Sequence, residues 1–456
     1  MVFLDYKMNV QQEFTWKIAW QMADNLVFQS TGRHLSDLEV IILRGAWHNQ
    51  TYEKIAEAEN YASNYLSKDI GCRLWGDLSA ALQEKVSKKN FKSALQREWH
   101  NRTYANQTQS FVTQNLVFPE GSVALNSPFY LTRSPIEDIC YETIAKPNSL
   151  IRIKGAKWMG KTSLVNRILQ QAHFQNQATV YLDFGNVEQS VIKNLDKLLR
   201  WLCEMVSRQL KLTSKVNRYW SGNNLGSSDR CTVYFTEYIL TKVDSEIVLA
   251  LDNVDRLFAY QEVAEDLLRM LRGWHESGKV KDFWSKLKLV LAHSTEVYIP
   301  LDLNQSPLNS GVPILLEEFN GDRVQTLAVL YQFYFKEFEV KQLMDWVGGH
   351  PYLIQLAMYQ MKTQDLSLKQ FLSQVFNKTS IYDNLLDTLM GILYRFPELS
   401  LAFHKVIHSP APVSLNPLQI YRLHSLGLIK HQGDLISPRC QLYQDYFINK
   451  QLIVDS

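Results

Sequence analysis

Apolar positions recur at helical spacing from Glu13 to about Leu82: Phe14, Ile18 and Met22, then Leu66, Ile70, Leu74 and Leu78. This predicts a small all-helical unit over residues 1–102. Between Arg102 and Ser127 the chain turns polar, rich in Asn, Gln, Thr and Ser, with Pro119 and Gly121 as punctuation. Such composition predicts a linker over residues 103–127.

From about Phe129 the period changes, and short apolar runs alternate with long helical patterns. That alternation predicts a parallel sheet with crossover helices. The expected strands are Leu150–Lys154, Thr179–Asp183, Ile247–Leu251, Leu287–His293 and Val312–Leu316, forming a five-stranded α/β core over residues 128–318. Val324–Phe335 and Tyr352–Met361 return to helical periodicity and predict a helical lid over 319–399. Over 400–456, an apolar helix (Leu418–Leu426), a turn at Gln432, Gly433 and Asp434, and flanking short strands outline a winged helix.

Composition changes this picture little. A formal charge of +2 does not mark a polyanion-binding chain, although a local basic face would vanish in that sum. Cys72, Cys140, Cys203, Cys231 and Cys440 are odd in number and lack metal-ligand or redox spacing, so they are expected to be reduced and mostly buried. No signal-peptide pattern opens the chain and no apolar run reaches transmembrane length, so no membrane association and a cytoplasmic location are expected.

The strongest chemical signal is Gly155-Ala156-Lys157-Trp158-Met159-Gly160-Lys161-Thr162, set between a strand and an apolar-periodic helix. Glycines let backbone amides turn toward phosphate oxygens at a helix N-terminus, which makes this a phosphate loop for a nucleoside triphosphate, ATP being favoured. Gly155, Trp158, Met159, Gly160, Lys161, Thr162 and Ser163 form the expected binding set, with Lys161 on the β and γ phosphates and Thr162 on Mg2+. Asp252, closing the apolar strand Ile247–Leu251, is the second Mg2+ residue.

Hydrolysis needs a group that orients or deprotonates water, and in the large class of such ATPases a Glu directly follows the strand Asp. Here that position holds Asn253. Asp255 could substitute or could merely cap a helix, and Ser294 with Thr295 could sense the γ phosphate or form a plain loop. Lys161, Asp252, Asp255 and Ser294 are the catalytic candidates, and slow turnover is expected.

In the first unit, Tyr52, Ile55 and Ala56, a turn near Asn60, and Tyr61–Trp75 have helix-turn-helix proportions. Asn64, Lys68 and Arg73 are candidates for meeting nucleic acid, against which Asp69 counts. The run Lys85, Lys88, Lys89, Lys92 and Arg97 could extend a basic face or simply be solvated. DNA binding and protein docking both stay open.

With these residues assembled, the chain resembles AAA-like ATPases of the STAND and origin-recognition type, particularly a cyanobacterial family with an N-terminal helix-turn-helix of the vWA-MoxR-associated kind. The resemblance rests on Gly32–Glu39, Thr51–Ala56 and Lys85–Phe91, on Phe129–Glu137, the phosphate loop, Leu251–Asp255 and Ala292–Thr295, and on Gly348–Leu353 and Leu423–Cys440. It implies that Arg133, His350 and Pro351 frame the adenine, with Gly348–Pro351 also a lid hinge, although these residues could simply break a helix. It further implies a signalling or defence switch cycling between ATP and ADP, with ATP-driven homo-oligomerisation and a separate sensor or effector protein. An ATP-regulated DNA-binding protein and a scaffold with a structural nucleotide are the alternatives.

Overall fold

A computed structural model describes residues 14–82, 84–96, 98, 116–221, 224–294, 309–374 and 381–450. The chain divides into two units, Met1–Gln114 and Asn115–Ser456.

The first unit is helical, as its periodicity predicts. Helices Trp16–Thr31, Asp37–Trp47 and Tyr52–Glu59 precede a long helix from Ser63 to Leu82. Leu66, Ile70, Leu74 and Leu78 are all buried on it. Spacing of four residues drifts by about 40° per step on an ideal α-helix, which would carry Leu78 off the face that starts at Leu66. A π-helical turn over Leu66–Gly71, with more residues per turn, takes up part of that drift. On the first helix the expected stripe is displaced: Ile18 is only half-buried, and the core face is Ala19, Met22, Ala23, Leu26 and Val27. Two alanines bring its backbone close to its neighbours, which a reading based on large side chains overlooks. Asn60 ends Tyr52–Glu59 at φ 60°, a left-handed position that Asn tolerates, and so makes the tight turn between the paired helices.

The second unit carries a five-stranded parallel sheet in the order β2-β3-β4-β1-β5. Its strands are β1 Leu150–Lys154, β2 Ala178–Asp183, β3 Ile247–Asp252, β4 Leu287–His293 and β5 Val312–Leu315, each within a residue of expectation at either end. Leu249 and Leu251 face one core with Leu289 and Leu291, while Val248 and Ala250 face the other with Val290 and Ala292. β3 and β4 are buried on both faces, which explains the apolar run of β3; in β4 only buried Lys288, paired with Glu246 at 2.7 Å, interrupts the run before His293.

Beyond the sheet come helices Gly321–Leu330, Glu337–Val347, Pro351–Thr363, Leu368–Gln374, Asp383–Arg395, Pro397–His408 and Pro417–Ser425. The first stops short of the expected Phe335, because Gln332 takes φ 65° and turns the chain. The expected division at 399/400 passes through helix Pro397–His408. The last segment closes with the antiparallel pair β6 Ile429–Gln432 and β7 Leu435–Pro438, followed by helix Gln441–Asn449. Tyr446 in that helix donates to Asp387 at 2.5 Å, joining it to helix Asp383–Arg395. Among the described residues, no helix is long and apolar enough to cross a membrane. Cys72 is exposed and the other cysteines are buried and free.

Candidate functional site

The loop between β1 and helix Lys161–Phe174 turns through Trp158 at φ 59° and Gly160 at φ 93°. A Cβ at Gly160 would also lie 3.1 Å from the Arg133 guanidinium, so backbone conformation and close approach both demand glycine there. Arg133 Nη2 donates to the Met159 carbonyl at 2.5 Å, and its guanidinium lies 5.0 Å from the Phe319 ring centroid. Arg133 thus clamps the loop through its backbone, and Met159 itself is buried.

Lys161 is 6% exposed, and its Nζ donates to the carbonyls of Gly155 at 2.9 Å and Ala156 at 2.8 Å. Burial pulls its ammonium down to about 8, opposed by the attraction of Asp255 and Asp252. A desolvated cation held by two neutral acceptors is well placed to exchange them for phosphate oxygens. Thr162 Oγ1 donates to Asp252 Oδ2 at 2.6 Å, and the Tyr181 hydroxyl donates to the same oxygen at 3.0 Å. A hydroxyl and a buried carboxylate, brought together from two elements, match the hard oxygen donors that Mg2+ prefers.

Asp255 does not cap a helix through its own side chain. Its Oδ1 accepts the Ser294 N–H at 2.7 Å, bracing the end of β4 against the turn after β3. Ser294 is buried, whereas Thr295 lies outside the described residues.

The residue missed in the sequence is Asp183, which ends β2 in register with Asp252. Asn253, at φ 55°, donates from Nδ2 to Asp183 Oδ1 at 2.7 Å. An apolar run ending in Asp was the signal that singled out Asp252, and Thr179–Asp183 carries the same signal.

Lys161, Thr162, Tyr181, Asp183, Asn253 and Ser294 line a cavity of about 390 Å3. Val123, Tyr130, Leu131, Pro351 and Tyr352 supply an apolar and aromatic lining elsewhere in it. Arg133 and Pro351 also border it, but His350 is wholly buried outside the lining, with Nε2 3.2 Å from the Lys157 carbonyl. His350 therefore supports the loop from behind. Ser163 lines the cavity as well, and its hydroxyl accepts the Val123 N–H at 2.9 Å. Arg167 adds bonds to the carbonyls of Val123 at 3.2 Å and Ala124 at 2.9 Å, and stacks on Tyr130.

The C-terminal segment reaches the same loop. Lys157 N–H donates to the Ser425 carbonyl at 3.0 Å. Arg439, 5% exposed, donates to Glu318 Oε1 at 2.8 Å and to the Ile429 carbonyl at 3.2 Å. Gly349 lies so close to Phe319 that a Cβ would collide with its carbonyl oxygen, and the Phe319 N–H in turn donates to the Gly349 carbonyl at 2.8 Å.

In the first unit Asn64 and Lys68 are exposed, but Arg73 donates from Nε to Glu39 at 3.0 Å. Glu39 is wholly buried and is also held by Arg33 at 2.8 Å. Arg73 is therefore first a partner of a buried carboxylate. Lys88 and Lys92 lie over the rings of Tyr52 and Trp47, and Arg97 lies outside the described residues.

A parallel sheet with a phosphate loop after β1 and a buried carboxylate closing β3 defines a P-loop ATPase fold. The chain belongs to the AAA-like domain family, whose model matches residues 118–449. Residues 14–98 match the vWA-MoxR associated protein N-terminal helix-turn-helix. None of the curated proteins matches the chain. Among solved structures, the chain is similar to a Walker-type ATPase of Pyrococcus abyssi, at 14% identity and TM-score 0.51, covering 72% of this chain and 99% of that one. It is similar also to the ORC2 protein of Aeropyrum pernix in its ADPNP-ADP complexes, at 16% identity and TM-score 0.42, over 72% and 97% of the two chains. A Signal Transduction ATPase with Numerous Domains from Pyrococcus horikoshii, bearing a tetratricopeptide repeat sensor, matches at 15% identity and TM-score 0.30, over 72% of this chain and 44% of that one.

Proposed function

We propose that this chain is an ATP-operated molecular switch in signalling or defence, with slow hydrolysis and nucleotide-controlled assembly. The observation that carries this reading is the bond from Lys157 to Ser425, which ties the phosphate loop to the C-terminal helix and hairpin. A ligand that reshapes the loop changes the hold on that segment, which supplies the differential contact a switch needs. The helix and hairpin serve as the winged helix, and helices after Phe319 serve as the lid.

Lys161 and the loop amides hold the phosphates, Thr162 and Asp252 hold Mg2+, and Tyr130, Pro351 and Tyr352 enclose the base. Mg2+ when bound neutralises charge on the phosphate oxygens. Asp255 keeps Ser294 in place beside the γ phosphate. The match of the first unit to a vWA-MoxR associated module supports the signalling or defence setting and a separate protein partner. Light scattering with and without ATP and Mg2+ tests the switch. Wild type should form a larger assembly with ATP and Lys161→Ala should not; equal mass in all conditions rejects nucleotide-controlled assembly.

A second reading, an ATP-regulated DNA-binding protein, is supported by the helix-turn-helix match and by Asn64 and Lys68 standing exposed on its second helix. A salt-dependent mobility shift on duplex DNA, weakened by Lys68→Ala, supports it. No shift at low salt removes it.

A further inference from the structure

We propose that Asp183 is the carboxylate that orients and deprotonates the attacking water, supplied from β2 in place of the acidic residue absent at position 253. This rests on the ATP-binding reading above and deepens it. Strand pairing puts Asp183 beside Asp252, and Asp183 lines the cavity together with Lys161, Thr162, Asn253 and Ser294. Asn253 Nδ2 donates to Asp183 Oδ1 at 2.7 Å. The amide standing where the class carries Glu therefore points at a carboxylate one strand over, and the acidic group has moved while the cavity keeps one.

Asp183 has a structural task as well. Oδ1 accepts the Gly185 N–H at 2.6 Å and Oδ2 accepts from Asn186 Nδ2 at 2.8 Å, making it the cap of the short turn Phe184–Asn186. Arg256 pins that turn through the carbonyls of Phe184 and Gly185. A cap alone needs no charge, since Asn or Ser caps as well. The same bonds hold the carboxylate still, which is the condition for positioning water.

In the step assigned to it, the water oxygen bonds to the γ phosphorus of ATP while the bond from that phosphorus to the β–γ bridging oxygen breaks. The electron pair leaves on ADP. The water proton passes to Asp183 and then to solvent, and phosphate is released.

Three full-length chains test this: wild type, Asp183→Asn, and Asp183→Asn with Asn253→Asp. Each is measured for melting temperature, for affinity toward ADP and a non-hydrolysable ATP analogue, and for single-turnover cleavage of ATP. Asp183→Asn should keep its melting temperature and its ADP affinity. It should bind the ATP analogue several-fold tighter, because a negative group facing the γ phosphate is gone, and cleave on the order of 100-fold slower. The double variant, with the carboxylate moved to position 253, should recover at least roughly tenfold of that loss. Should Asp183→Asn fail to fold, Asp183→Ser keeps a capping oxygen and must give the same readings. Unchanged analogue affinity, wild-type cleavage in Asp183→Asn, or no recovery in the double variant overturns the proposal. Failure of wild type to bind ATP overturns the nucleotide reading instead, and this one with it.

Discussion

Lys157, in the middle of the phosphate loop, donates its backbone N–H to the carbonyl of Ser425, the last residue of the helix that leads to the C-terminal hairpin. The loop thus has one of its amides committed to the segment that a switch would release. Nearby, Arg439 anchors the same segment to Glu318, just after β5.

Arg439→Met should therefore loosen the segment. It leaves the Ile429 carbonyl without this donor and should cost about 1–3 kcal/mol. Stopped-flow displacement of a fluorescent ADP should show faster release than in wild type, while Lys161 and the sheet stay intact.

Lys161→Ala removes the buried cation that faces the phosphates. ATP affinity should fall on the order of 100-fold, matching a loss of about 3 kcal/mol of charge-assisted bonding. The melting temperature should change little, because removing a desolvated cation offsets the loss of its bonds to the Gly155 and Ala156 carbonyls. Titration calorimetry and thermal melting together check both halves.

Burial holds the His350 imidazole down to about 3, with Arg439 and Arg133 adding to the effect. The unfolded chain takes up that proton near pH 6.5, so it binds more protons than the folded chain between pH 6.5 and 3. Stability from this group is full above pH 6.5 and is lost as pH falls toward 3, by about 2 kcal/mol at pH 5. His350→Gln should flatten the slope of melting temperature between pH 7 and 5. His424, held down to about 4 chiefly by burial, titrates in the same window in both chains, so the difference isolates His350.

Arg73→Ala should destabilise the first unit by about 1 kcal/mol through the loss of its bond to Glu39. If the unit binds DNA, Lys68→Ala should weaken binding without changing stability. Melting and mobility-shift measurements on the same pair of variants separate the two roles.

The sheet and phosphate loop were legible because their signals are local. An apolar run of five or six residues, a glycine spacing and a following helix all lie within neighbouring residues. Side-chain purposes were less legible, since they depend on partners far along the chain. Ser163 reads as part of the phosphate set, and its bond from Val123, forty residues back along the chain, is not announced by any local spacing. His350 reads as a contact to the base, yet it stands behind the loop at Lys157. Asp183 gains its meaning only from the strand pairing with β3, which no spacing in the sequence announces. The pairing of exposed Arg73 was hidden because its acid, Glu39, lies on another helix.

The strap at Val123 and Ala124 is stitched to helix Lys161–Phe174 by Ser163 and Arg167. That stitch fastens the segment before Phe129 to the helix that follows the phosphate loop. A shift of Val123 or Ala124 is therefore felt first by the helix that carries Lys161 and Thr162, and only after it by the sheet.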